Sequence, residues 1–140
     1  MSRSTINRML SDFIAQRDSI YVATASVDGQ PYVQHRGGSK GFIKILNDKT
    51  IAFADFEGNR QYITVGNLKH NPKAFIFMMD YARRRRIKLW GRAHVKFVEG
   101  QRTIVFEIER WDINCPQYIP QKYGLEEIEG LVRAGQVTVR

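Results

Sequence analysis

The residues best suited to chemistry stand at the mouth of a strand-like run. In FADFEGNRQY, Phe53 to Tyr62, alternating apolar residues stop at Gly58-Asn59-Arg60. Gly58 frees the backbone, Asn59 is a helix-capping type, and Arg60 brings a forked, permanently charged donor. Unpaired first-turn amides beside a guanidinium form an oxyanion site, where each charge-assisted bond contributes about 1.5 to 3 kcal/mol. The same residues also describe a plain helix cap with a solvated arginine. A second cluster, Trp111, Asn114 and Cys115 in ERWDINCPQYIP, could stack on a ring and bind its polar edge. The alternative is a core tryptophan ahead of a Cys-Pro turn.

His35, His70 and His94 are too scattered to show a metal spacing, and the single cysteine gives no thiolate cluster, so no metal is expected. Cys115 has no neighbouring base or helix start to lower its pKa and reads as a small apolar side chain. Twenty-two Lys and Arg against fourteen Asp and Glu give a formal charge of +8, which calls for an anionic partner. Nucleic acid and a phosphorylated small molecule both meet that description. The basic residues are spread through strands, apart from the Arg83 to Arg86 run, and match no recognition motif, so nucleic acid ranks below the small molecule.

The elements that must position these residues follow from periodicity. At 140 residues the chain is expected to form one domain, 1–140, with a core that needs no disulfide. MSRSTINRMLSDF contains no signal-peptide core and no bilayer-length apolar run, so a cytoplasmic protein without a membrane partner is expected. Ile6, Met9, Leu10, Phe13 and Ile14 predict an amphipathic helix with Ser4 or Thr5 as its cap. Ser19 to Val27, PYVQHR, Gly41 to Leu46 and Thr50 to Phe56 predict two hairpins, the first turning at Asp28-Gly29. Tyr62, Val65 and Leu68 predict a short helix ending at Asn71-Pro72. KAFIFMMDY, IKLWGRAHVKFV and RTIVFEIERWDI predict three more strands, with a bulge or bend at Gly91, and LEEIEGLV a final helix. Six or seven antiparallel strands with flanking helices make a mainly β, α+β chain, and barrel closure is the favoured way to remove sheet edges.

GQPYVQHRGG, FADFEGNRQ, HNP and RRIKLWG occur in that order at separations that resemble the pyridoxamine 5′-phosphate oxidase-like family of FMN-binding split barrels. The resemblance runs from about Ile20 to Val98 and implies a split β-barrel. Gln34, His35, Arg36 and Gly37 match the family's strand beside the flavin and ribityl chain, and Ala54 and Asp55 match contacts from the next strand. Asn59, Arg60 and Gln61 match its Ser-Arg-Lys, so Arg60 is implied to hold the FMN phosphate. Gln61 removes one family cation, for which Arg36 or Lys40 could compensate.

Arg86 matches a glutamine that faces the flavin pyrimidine edge, where a cation would favour the reduced anion. Its alternative is a solvated turn. Lys88 shares its sheet face. The resemblance further implies a homodimer with FMN between the subunits, and Trp111 and Asn114 are expected to reach the partner's flavin. The C-terminal stretch lacks the tryptophan and Arg-x-His segment that bind the vitamin substrate, so that reaction is not implied. FMN-dependent oxidoreduction on an unidentified small molecule is the leading expectation, followed by a non-catalytic flavin-binding or redox-sensing module.

Overall fold

Asn7, rather than Ser4 or Thr5, caps the first helix of the computed structural model, which describes residues 3–55, 62–114 and 117–138. Its Oδ1 accepts from the Leu10 amide at 2.9 Å, so α1 (Arg8–Ala15) starts later than its apolar pattern. Leu10, Phe13 and Ile14 are the buried stripe. Arg17 closes the far end: its Nε donates to the Phe13 carbonyl at 3.0 Å, and its guanidinium lies over the Phe13 ring and beside Asp80 at 3.5 Å. Burial lowers the Arg17 pKa, and the Asp80 carboxylate opposes that effect.

β1 (Ser19–Ala25) and β2 (Pro31–Gly37) form the first hairpin, with Gly29 at φ 89° supplying the left-handed turn residue. The next pair is smaller than its sequence suggests. β3 spans only Lys44–Ile45 beside β4 (Thr50–Ala54), because Gly41 N–H is taken by the Arg17 carbonyl at 3.0 Å and Phe42 N–H by Ser39. Both amides leave the ladder, and the Gly41 bond ties the segment to the chain just after α1.

α2 (Tyr62–His70) buries Thr64 and Leu68 and leaves Tyr62 exposed, so its inner face is set one position away from the expected Tyr62, Val65, Leu68 stripe. β5 (Lys73–Asp80), β6 (Arg85–Val98) and β7 (Gln101–Asn114) are continuous antiparallel neighbours, and α3 (Leu125–Arg133) follows. Among the described residues, seven strands form one sheet in the order β2-β1-β5-β6-β7-β4-β3. This is the antiparallel, mainly β arrangement of a split barrel, with Ile20, Val22, Ile51, Phe53, Ile76, Met78, Ile87, Leu89, Ile104 and Phe106 turned to a common core under α1. Among the described residues, no helix is long and apolar enough to cross a membrane.

The long β6–β7 ladder slips register between Trp90 and Gly91, where the sequence predicted a bulge or bend. A Cβ on Gly91 would sit 2.0 Å from the Glu107 carbonyl oxygen. Only glycine fits that backbone approach. Gly91→Ala should therefore cost at least about 2 kcal/mol of unfolding free energy, read as a shift in urea midpoint at unchanged m-value.

Candidate functional site

The edge strand β2 and the end of β4 meet through side chains. Arg36, near the end of β2, faces inward and is 3% exposed. Its Nε donates to Gln34 Oε1 at 2.9 Å, and its Nη1 donates to Asp55 Oδ1. Asp55, immediately after β4, is fully buried, and its Oδ2 accepts from Arg102 Nε at 2.8 Å. The Asp55 amide donates to the Arg102 carbonyl at 2.8 Å, so β7 fixes both the backbone and the carboxylate. Thr64 Oγ1 donates to Gln34 Oε1 at 2.7 Å and couples the first turn of α2 to the same group.

Two guanidinium groups thus share one carboxylate. Arg36 Nη2 is buried without an acceptor among the described residues. An unmet buried donor costs about 1 to 3 kcal/mol, and a surplus charge in low dielectric adds to that. This donor set fits an anionic group such as a phosphate ester. It sits at the β4 end of the β4–α2 connection, the connection that carries Asn59, Arg60 and Gln61.

The opposite side of the sheet has a different character. Registered pairs place His35, Tyr21, Phe77, Lys88 and Asp112 in one row across β2, β1, β5, β6 and β7. A parallel row holds Val33, Ala23, Phe75, Trp90 and Arg110. Val33 is 63% exposed, and the Arg110 guanidinium lies 3.8 Å from the Trp90 ring centroid. Arg86 lies between Met79 and Asn114 at the end of this face, and its Nε is buried without an acceptor among the described residues.

Residues 6–115 match the pattern described as pyridoxamine 5′-phosphate oxidase. The chain belongs to that family. Similar solved structures include Group A Streptococcus HupZ at 19% identity, covering 84% of this chain and 99% of that one with a TM-score of 0.61. HutZ, the heme storage protein from Vibrio cholerae, matches at 13% identity over 75% and 92% of the two chains, with a TM-score of 0.54. A Clostridium acetobutylicum protein related to general stress protein 26, of the pyridoxinephosphate oxidase family, matches at 12% identity over 84% and 93%, with a TM-score of 0.50. At these identities the structures establish the fold. No curated protein matches the chain.

Within this oxidase-family barrel, the residues expected at the cofactor divide between two faces. Gln34, Arg36 and Asp55 form the inner cluster, with Ala54 half-buried beside it. His35, Arg86 and Lys88 belong to the outer face, Gly37 ends β2, and Asn114 pairs with Arg86 in register. Asn59, Arg60, Gln61 and Cys115 lie outside the described residues.

Two readings change. Arg86 is a half-buried strand residue and not part of a solvated turn, because β6 begins at Arg85. Trp111 is a core residue: it is fully buried, its indole N–H donates to the Thr5 carbonyl at 2.8 Å, and Arg3 covers its ring. A ring enclosed in this way offers no face to a flavin. Arg102 and Thr64 were not singled out from the sequence. Their partners are 47 and 30 positions away, a pairing that local pattern cannot show.

Removing Asp55 would leave Arg36 buried and unpaired. Asp55→Ala should lower stability by about 3 to 5 kcal/mol, whereas Thr64→Val, which removes one neutral bond, should cost about 1 kcal/mol. Chemical denaturation of the two variants measures the difference.

Proposed function

We propose that this chain is an FMN-binding flavoprotein that acts as an FMN-dependent oxidoreductase on a small molecule, in a homodimer with cofactor at the subunit junction. The observation that supports it most is the inner cluster: among the described residues Arg36, whose Nη2 has no acceptor, and Arg102 share the single Asp55 carboxylate, at the strand end that leads to Arg60, which the resemblance implies as the phosphate ligand. Arg60 and the amides that follow Asn59 would complete the phosphate contacts, with Arg36 contributing the charge that Gln61 does not supply. Bound FMN supplies hydride-transfer chemistry.

The protein's own part is to bind, orient and bias. Arg86 and Lys88 put positive charge on the outer face where the family carries an uncharged amide, which favours an anionic, reduced ring there. Val33, Ala23, Phe75 and Trp90 give that face an apolar row of the kind that closes a two-fold contact and excludes water. No residue on either face is required as a general acid or base, since hydride transfer needs orientation above all.

The purified protein should show the two-banded visible spectrum of oxidised flavin and release FMN on heating. Arg60→Ala should weaken FMN binding by about 1.5 to 3 kcal/mol in a fluorescence titration. An intense porphyrin band with no flavin released would overturn the reading in favour of a heme role such as that of HutZ. Reduction of the bound flavin by NADH or NADPH in stopped-flow mixing separates an enzyme from a redox-sensing module.

A further inference from the structure

A cleft of about 700 Å³ lies between α1 and the ends of β5 and β6, and its walls carry more guanidinium groups than carboxylates: Arg8, Arg17, Arg83 and Arg85 against Asp12 and Asp80. A volume in this range holds a small molecule. Asp80 stands opposite Arg85 in the β5–β6 register, yet its carboxylate is engaged elsewhere. Its Oδ2 meets Arg17 at 3.5 Å and Arg83 at 3.3 Å, and its Oδ1 accepts from the Arg83 amide at 3.2 Å. Asp12 is on the exposed rim, 4.0 Å from Arg8. Arg85 is left over. It is half-buried, its Nε is enclosed without an acceptor, and no ion pair reaches it among the described residues. Its guanidinium faces the Phe13 ring, 5.6 Å from the centroid, where Arg17 already lies at 4.2 Å. An enclosed donor with no partner destabilises a fold unless a ligand or solvent meets it.

We propose that this cleft is a binding site for a small phosphorylated molecule, whose phosphate group is held by Arg85 with Arg83 at the rim. Four guanidinium groups and two carboxylates leave a surplus of two positive charges, which matches a dianion better than a carboxylate. Met9 and Ala15 give the wall an apolar side for the rest of the ligand. The cluster is also self-repelling: burial lowers the Arg17 pKa, Asp80 and Asp18 counter that, and the Arg83 and Arg85 charges deepen it. An anion among these groups removes the repulsion. The neighbouring hollow at the start of α3 shares Arg17, Asp80 and Arg83, but there Lys40 and Lys122 are answered by Asp18, Glu126 and Glu127. Charge balances on that side, so the surplus belongs to the side of α1. The inference does not rest on the flavin reading, whose phosphate donors stand at the ends of β2 and β4.

Calorimetric titration of the purified full chain with phenyl phosphate, at fixed ionic strength and above neutral pH where the probe is dianionic, tests it. The wild type should bind phenyl phosphate at least about tenfold more tightly than benzoate, which offers the same ring and a single charge. Arg85→Met should raise the phenyl phosphate dissociation constant by about tenfold or more, and Arg83→Gln, at a largely exposed position, should also weaken it. Arg60→Ala should leave that constant unchanged, and Arg85→Met should leave the FMN titration unchanged. Because methionine needs no acceptor, the urea midpoint of Arg85→Met in phosphate-free buffer should equal or exceed that of the wild type. A wild type that does not bind phenyl phosphate, or an Arg85→Met variant that binds it as well as the wild type, overturns the proposal. Benzoate bound as tightly as phenyl phosphate overturns the choice of a phosphate. Binding lost in Arg60→Ala and kept in Arg85→Met assigns the probe to the cofactor site and sinks this one, whereas phenyl phosphate binding that needs Arg85 in a protein that takes up no FMN sinks only the flavin reading.

Discussion

The buried pair formed by Arg36 and Asp55 is the constraint on which the rest of the structure depends. A seven-stranded sheet that curls without joining its edges leaves β2 apart from the β4 end of the ladder, and among the described residues it is this ion pair that links them. Burying two charges is costly, and the pair is tolerable because Gln34 accepts from Arg36 Nε and Arg102 donates to the second Asp55 oxygen. An apolar closure could be equally stable. What an apolar closure could not do is present, among the described residues, two guanidinium groups on one carboxylate with Arg36 Nη2 left without an acceptor. The same contact that bridges the two ends of the sheet therefore provides the donors that the proposed phosphate would use.

Strand alternation carries that arrangement outward. Gln34 and Arg36 turn inward from β2, while Val33 and His35 turn outward, and the two sets meet different neighbours across the sheet. A one-residue slip of β2 would exchange them, placing the arginine on the apolar outer face and the valine beside Asp55. The β1–β2 register, fixed by the turn at Gly29, thus determines both the polar cluster and the contact face.

Much of this was legible in the sequence, and the gaps have physical causes. The first hairpin, the presence of the three helices and the irregularity at Gly91 follow from local chemistry: alternation, apolar spacing and turn residues. The length of β3 does not, because the Arg17 carbonyl claims the Gly41 amide from outside the segment. Trp111 reads equally well as a ring-stacking residue or as core until Thr5 and Arg3 are seen to enclose it. Arg36 was expected beside the flavin and ribityl chain, with Arg36 or Lys40 able to offset the cation missing at Gln61, but the carboxylate partner of Arg36 and the role of Arg102 depend on long-range pairing. The Arg83 to Arg86 run looked uniform, yet the chain divides it: Arg83 bonds Asp80 in a turn at 3.3 Å, while Arg86 enters a strand.

The central claim is that the inner cluster and the start of α2 hold a phosphate ester. Parallel titrations of the apoprotein with FMN and with riboflavin, which has the same ring and ribityl chain but no phosphate, test it most directly. The account predicts that FMN binds at least about a hundredfold more tightly, and that raising ionic strength narrows the gap. Equal affinities for the two would contradict it, because the ring alone would then be doing the binding.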